Sequence, residues 1–169
     1  CEDPDSDRSF VYLMLGPGND ATNLEYASEA IFEGADMNSY PGASLLFAGD
    51  LSGDGYGDLV IGDCCADGSY PTAKSYIVHG PVSGVGTLWE MTSTSILQEN
   101  VETDSGGVIH VASPGDLNAD SYADLLLGVS VYDGGGVDRG AAYLLNGPFS
   151  GQVEADEYSG VRLVGESDW

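Results

Sequence analysis

Positive charge is what this chain lacks most. Its 169 residues hold four Lys and Arg (Arg8, Lys74, Arg139 and Arg162) against 28 Asp and Glu, a formal net charge of −24. Nucleic acid and anionic membrane surfaces are held through basic side chains, so neither is an expected partner. Divalent cations are favoured instead, and acids beyond any cation site serve solubility in a salty or calcium-rich medium. Long apolar runs are also missing. Stretches such as Val11–Leu15 and Leu125–Leu127 are strand-sized, well short of the roughly 18 residues that span a bilayer as a helix, so the chain is not expected to be transmembrane. Two histidines, His79 and His110, are too few for a zinc site without cysteine help. Three cysteines do not make a disulfide framework. The adjacent Cys64 and Cys65 leave a vicinal bridge, pairing elsewhere and free thiols all open. No G-x-S-x-G elbow exists and no pair of acids stands out for glycoside hydrolysis. A non-catalytic protein is expected.

What is plentiful points to β-structure: 25 Gly and 10 Tyr, short apolar runs between Gly, Asp and Ser turns, and no helical periodicity sustained over a long window. The chain also repeats itself. DLSGDGYGDLVIG (Asp50–Gly62) recurs 66 residues later as DLNADSYADLLLG (Asp116–Gly128). A second signature occurs three times, at Tyr12–Gly18, Tyr76–Gly84 and Tyr143–Gly151, with starts 64 and 67 residues apart. Ile31, Leu97 and Leu163 form a weaker echo at steps of 66.

Each unit reads as four short strands. In the middle unit they are expected near Ala43–Ala48, Leu59–Gly62, Ser75–His79 and Ser95–Gln98. In the last they are expected near Val108–Ser113, Leu125–Val129, Ala141–Asn146 and Val161–Val164. Phe10–Leu15 and Ala30–Glu33 supply only a third and a fourth strand. The expected division is residues 1–34 as half a blade, 35–100 as a complete blade and 101–169 as another. Serial four-stranded modules of this size fit an all-β, partial β-propeller. Two and a half blades need further blades or self-assembly to close a ring. Cys1 precedes Tyr12 by the same 11 residues that separate Cys65 from Tyr76, so the chain is expected to start inside a loop of a longer protein. The alternative is a lipidated terminus on an acidic tether, Cys1–Asp7.

The two long repeats carry the chemistry. Ca²⁺ takes six to eight hard oxygens. In the first loop Asp50, Ser52, Asp54 and Asp58 offer side-chain oxygens at alternate positions and Tyr56 offers its carbonyl. Gly55 permits the positive φ that turns the chain around an ion. In the second loop the donors are Asp116, Asn118, Asp120, Asp124 and the Tyr122 carbonyl, with Ser121 in place of Gly55. A non-glycine residue takes positive φ at a cost of about 1 kcal/mol, so the second of two Ca²⁺ sites is expected to be the weaker. An EF-hand is excluded because its twelfth-position Glu is replaced by Ile61 and Leu127 inside strands. The plainer alternative is a pair of Asp-Gly hairpin turns. A phosphate cradle at Gly53, Gly55 and Gly57 is rejected, since no helix follows and the flanking Asp repel an anion. Trp89 is read as packing between blades, with sugar stacking as the alternative.

Gly49–Gly62 and Gly115–Gly128, with Tyr76 and Tyr143 opening later strands, resemble the FG-GAP repeats of integrin α-subunit propellers and their bacterial relatives. The Phe-Gly element is degenerate here, standing as Pro41-Gly42 and Gly107-Val108. The resemblance implies a seven-bladed ring, calcium between the first and second strands of a blade, and an extracellular or cell-surface adhesion role. It also implies a protein or carbohydrate ligand on the opposite face, at Asp63–Ala73, Val129–Gly140, Ala35–Gly42 and Asn100–Gly107. A scaffold domain of a secreted enzyme such as a polysaccharide lyase, and spacer blades without a ligand, stay open beside it.

Overall fold

The computed structural model describes residues 9–16, 24–34, 39–65, 73–98, 109–130 and 140–166. The four expected ligand-face loops lie mostly outside these residues, as does Cys1.

The described chain is all-β apart from three single helical turns. Strands β1 (Phe10–Leu13) and β2 (Ala30–Glu33) flank the turn α1 (Leu24–Ala27). Next come β3 (Ser39–Gly49), β4 (Asp58–Cys65), β5 (Ala73–Val78), β6 (Gly84–Thr87), the turn α2 (Leu88–Met91) and β7 (Thr94–Gln98). The last stretch holds β8 (Ile109–Gly115), β9 (Asp124–Val129), β10 (Ala141–Leu145), β11 (Gly151–Glu154), the turn α3 (Ala155–Tyr158) and β12 (Val161–Val164).

Strands β3, β4, β5 and β7 form an antiparallel meander, and β8, β9, β10 and β12 repeat it. β1 and β2 are the antiparallel third and fourth strands of an earlier unit. These serial sheets have the arrangement of a partial propeller, and the described residues form no closed ring.

Alternation along the central strands explains how sheets stack, because successive side chains leave opposite faces. Val60 on β4 joins Ile77, Ile96, Leu125, Leu127 and Tyr143 in the core between the second and third sheets. Its neighbour Ile61 joins Phe32, Tyr76, Val78 and Leu88 in the core between the first and second. A continuous apolar run is therefore what a strand covered on both faces requires.

The structure adds a strand that four-strand counting did not foresee. β6 pairs in parallel with β2, and β11 pairs in parallel with β7. Each added strand comes from the connection between the third and fourth strands of the following unit, so every covered outer edge is closed by its neighbour. The short runs GVGT and GQVE carry too little apolar pattern to announce a strand. They pair because an exposed row of backbone groups lies beside them.

The 66-residue echo of Ile31, Leu97 and Leu163 is corrected by the register. Tyr12 pairs with Ile31, Tyr76 with Ser95 and Tyr143 with Arg162. The equivalent apolar positions are thus Phe32, Ile96 and Leu163. The fourth strand keeps a constant distance from the tyrosine of its own unit, and the length differences accumulate before that tyrosine. Trp89 is exposed on α2 and does not pack between sheets, because its neighbour Leu88 is the residue that turns inward.

Candidate functional site

Both acidic loops join the first strand of a unit to its second, β3 to β4 and β8 to β9. Their backbones follow one course. In the first loop Gly53 and Gly55 have φ of 79° and 88°, and in the second Ala119 and Ser121 have φ of 63° and 79°. The left-handed turn at the sixth loop position is therefore built twice, once with glycine and once with serine held at positive φ against the steric preference of its Cβ.

The first aspartate of each loop gathers the chain around itself. Asp50 Oδ1 accepts from the N–H of Gly53 (2.6 Å) and Asp54 (3.1 Å), and from the Ser52 hydroxyl at 3.5 Å, while Oδ2 accepts from the N–H of Gly55 (2.9 Å). Asp116 does the same with the N–H of Asp120 (3.1 Å) and Ser121 (2.8 Å). Partial burial pushes the Asp50 carboxyl up. The bonds from Gly55, Gly53, Asp54 and Ser52 outweigh that push and hold it below the ordinary aspartate value of 3.8.

The fifth-position acids cap the next turn. Asp54 accepts from the Tyr56 N–H at 2.8 Å and Asp120 from the Tyr122 N–H at 2.9 Å. Asn118 places its amide 2.8 Å from Asp120 and its carbonyl 3.0 Å from the Asp120 N–H.

The ninth-position acids sit differently. Asp58 and Asp124 are completely buried at the start of the second strand. Asp58 accepts from the N–H of Leu51 (2.8 Å), Ser52 (3.0 Å) and Gly80 (3.0 Å), and His79 Nδ1 lies 3.3 Å away. Asp124 accepts from the N–H of Leu117 (2.7 Å) and Gly147 (3.2 Å). Gly80 and Gly147 each precede a cis proline, Pro81 and Pro148. These buried carboxylates fasten the acidic loop to the end of the third strand, a role that sequence reading did not assign to them. The signal for it was present: Gly-Pro follows each third strand at a fixed distance from the tyrosine.

The two loops touch. Asp50 O accepts from the Ala123 N–H at 3.2 Å, and the Tyr122 ring lies over Gly53, where an added Cβ would come within 2.5 Å of it.

The loop oxygens match calcium in chemistry: hard carboxylate, hydroxyl and amide donors at the odd positions, with the left-handed turn at the sixth. Their placement is less complete. Among the described residues no three acidic, histidine or cysteine groups are gathered around one point in a way that could hold a metal ion. Asp50 and Asp54 accept from N–H groups within the loop, whereas Asp58 also accepts from Gly80 beyond it. Each carboxylate offers about four lone-pair positions, so the four bonds to Asp50 occupy it, while Asp54, which accepts one, keeps acceptor capacity.

No helix among the described residues is long and apolar enough to cross a membrane. No protein-family model matches the chain. Integrin alpha-5 of Xenopus laevis is 31% identical over 152 residues, which cover 85% of this chain and 13% of that protein. Integrin alpha-PS2 of Drosophila melanogaster is 27% identical over 132 residues, which cover 75% of this chain and 9% of that protein. The chain is therefore integrin-alpha-like in sequence, all-β with serial antiparallel sheets, and similar to a small segment of these much longer relatives.

Proposed function

We propose that this chain is a non-catalytic, calcium-binding propeller module of the FG-GAP type, working outside the cell or at its surface in adhesion or ligand binding. One observation carries the calcium reading: Ser121 adopts the same left-handed turn as Gly55. A serine held at positive φ costs about 1 kcal/mol. A loop that keeps this shape without glycine is under a demand that an ordinary surface turn does not impose. The oxygen donors at the odd positions and the net charge of −24 support a divalent cation as the source of that demand. The integrin-alpha relatives support the adhesion role.

In this reading Asp50, Ser52, Asp54, the Tyr56 carbonyl and Asp58 hold the first ion. Asp116, Asn118, Asp120, the Tyr122 carbonyl and Asp124 hold a second, weaker one. Bound calcium neutralises the loop acids and stabilises the folded chain by mass action, about 2.7 kcal/mol at a concentration one hundred times Kd. A protein or carbohydrate ligand is assigned to the face opposite these loops.

Calorimetry of the chain, first stripped with chelator and then titrated with Ca²⁺, tests the proposal. A raised melting temperature is expected, with most of the gain absent in Asp54→Ala. No heat of binding and no shift in melting at millimolar Ca²⁺ would sink it.

A further inference from the structure

The repeat shows what each position of a unit requires. At the thirteenth residue after its tyrosine, the first unit carries Glu25 and the last carries Asp156, whereas the middle unit carries Trp89. In the last unit the acid is tied to its neighbours. Asp156 Oδ1 accepts from the Tyr143 hydroxyl (2.8 Å) and from the Arg162 guanidinium (3.1 Å). The middle unit places Tyr76, Trp89 and Ser95 at those three positions, with Ser95 opposite Tyr76 as Arg162 is opposite Tyr143. Where the last unit has an ion pair, the middle unit has an indole and a hydroxyl. The indole is 72% exposed, at a position where the other units show that the fold needs no aromatic ring.

Trp89 forms one wall of a groove of about 150 Å³ at the outer edge of the second sheet, where β11 lies against β7. Tyr76, Thr92, Ser93, Ser95 and Gln152 line it with the indole. Every lining residue belongs to the middle unit or to β11, so the groove is whole within this chain. Among the described residues neither an acid nor a base lines it, although the chain holds 28 acids. Its polar groups are hydroxyls and one amide. The Gln152 amide nitrogen donates to Glu154 at 2.9 Å, which leaves the Gln152 carbonyl oxygen as an acceptor.

We propose that this groove binds one neutral hexopyranose unit of a glycan, through the Trp89 indole and the hydroxyl and amide groups around it. A pyranose ring offers an apolar C–H face to an aromatic surface and a rim of hydroxyls to polar partners. The groove supplies both, as a small-molecule site requires. Its volume suits a single ring, since sites that enclose a drug-sized ligand measure about 300–1,000 Å³, and the rest of the glycan stays in solvent. Charge selects among saccharides. Uronates and sulfated sugars meet a chain of charge −24 with no base in the groove to pair with, and are repelled. A cationic ligand is attracted by the same field but finds no carboxylate in the lining. The groove uses none of the residues assigned to calcium or to the opposite face, so it stands or falls separately from both.

NMR titration of the chain in chelator with neutral gluco-, galacto- and manno-configured trisaccharides tests the proposal, with a galacturonate trisaccharide as the charged control. At least one neutral trisaccharide is expected to bind saturably in the millimolar range, with saturation transfer to its ring C–H protons. The galacturonate is expected not to bind. Trp89→Ala is expected to weaken binding by at least about tenfold, and Trp89→Phe, which keeps an aromatic face, to retain most of it. Trp89 is exposed, so circular dichroism should show both variants folded. Absence of saturable binding by every neutral trisaccharide overturns the proposal. So does binding that Trp89→Ala leaves intact, a Trp89→Phe no better than Trp89→Ala, or a galacturonate that binds as tightly as the neutral sugars.

Discussion

Gly55 and Ser121 occupy one loop position with φ of 88° and 79°, and an added Cβ at Gly55 meets nothing within 4 Å. The cost of a side chain there is conformational and not steric crowding by neighbours. Gly55→Ala is expected to destabilise the chain by about 1 kcal/mol and Ser121→Gly to stabilise it by up to about the same amount. Urea denaturation of the two variants checks the signs, and a destabilised Ser121→Gly would contradict the strain argument. Asp58→Ala strands three buried or half-buried N–H donors, whereas Asp124→Ala strands two. Each stranded donor costs about 1–3 kcal/mol, so the first variant is expected to lose more stability than the second in the same denaturation series. The Asp50 carboxyl has its folded pKa lowered from 3.8. Its contribution is therefore fully present above 3.8 and is lost as pH falls through the lower folded value. Carboxyl NMR titration should show Asp50 protonating below the ordinary aspartate range, and Asp50→Asn should flatten part of the stability loss on acidification.

The helical turns α2 and α3 join one sheet to the next, whereas α1 lies between two strands of the first. α2 is closed by a capping box, in which the Thr87 hydroxyl accepts from the Glu90 N–H at 3.3 Å and the Glu90 carboxylate accepts back from the Thr87 N–H at 3.3 Å. This cap aims Leu88, fully buried, into the core between the first and second sheets. Leu88→Ala is expected to cost about 2–5 kcal/mol, and hydrogen exchange should show the loss concentrated in β2 and β6. At the same scale, the central strands were legible from composition, because LVI in β4 and LLL in β9 are continuous apolar runs; β4 is covered on both faces, and in β9 Leu125 and Leu127 are buried while Leu126 is exposed. The parallel strands β6 and β11 were not legible. Their residues pair through backbone groups whose partner strand lies more than fifty residues away in the chain. Part of the acidic loops was legible: the left-handed sixth residue, Gly55 in one loop and Ser121 in the other. The burial of Asp58 and Asp124 was not, since it depends on Gly80 and Gly147 approaching from another strand.

A charge of −24 on 169 residues makes the whole molecule self-repelling, and this repulsion opposes the folded state. Monovalent salt is expected to raise the melting temperature gradually and without saturation through screening. Ca²⁺ is expected to act at far lower concentration and to saturate. A melting series in NaCl and then CaCl₂ at matched ionic strength separates the two, and coincident curves would leave only screening. Local order in the chain was sufficient to announce an all-β repeat, the four antiparallel strands of each full unit and the acidic turns, because alternation, glycine placement and acidic spacing act over a few residues. Which unit lends a strand to which edge, which tyrosine lies over Gly53, and which aspartate becomes a buried fastener were decided only when the sheets stacked. Those outcomes depend on backbone groups far apart along the chain meeting where water is excluded.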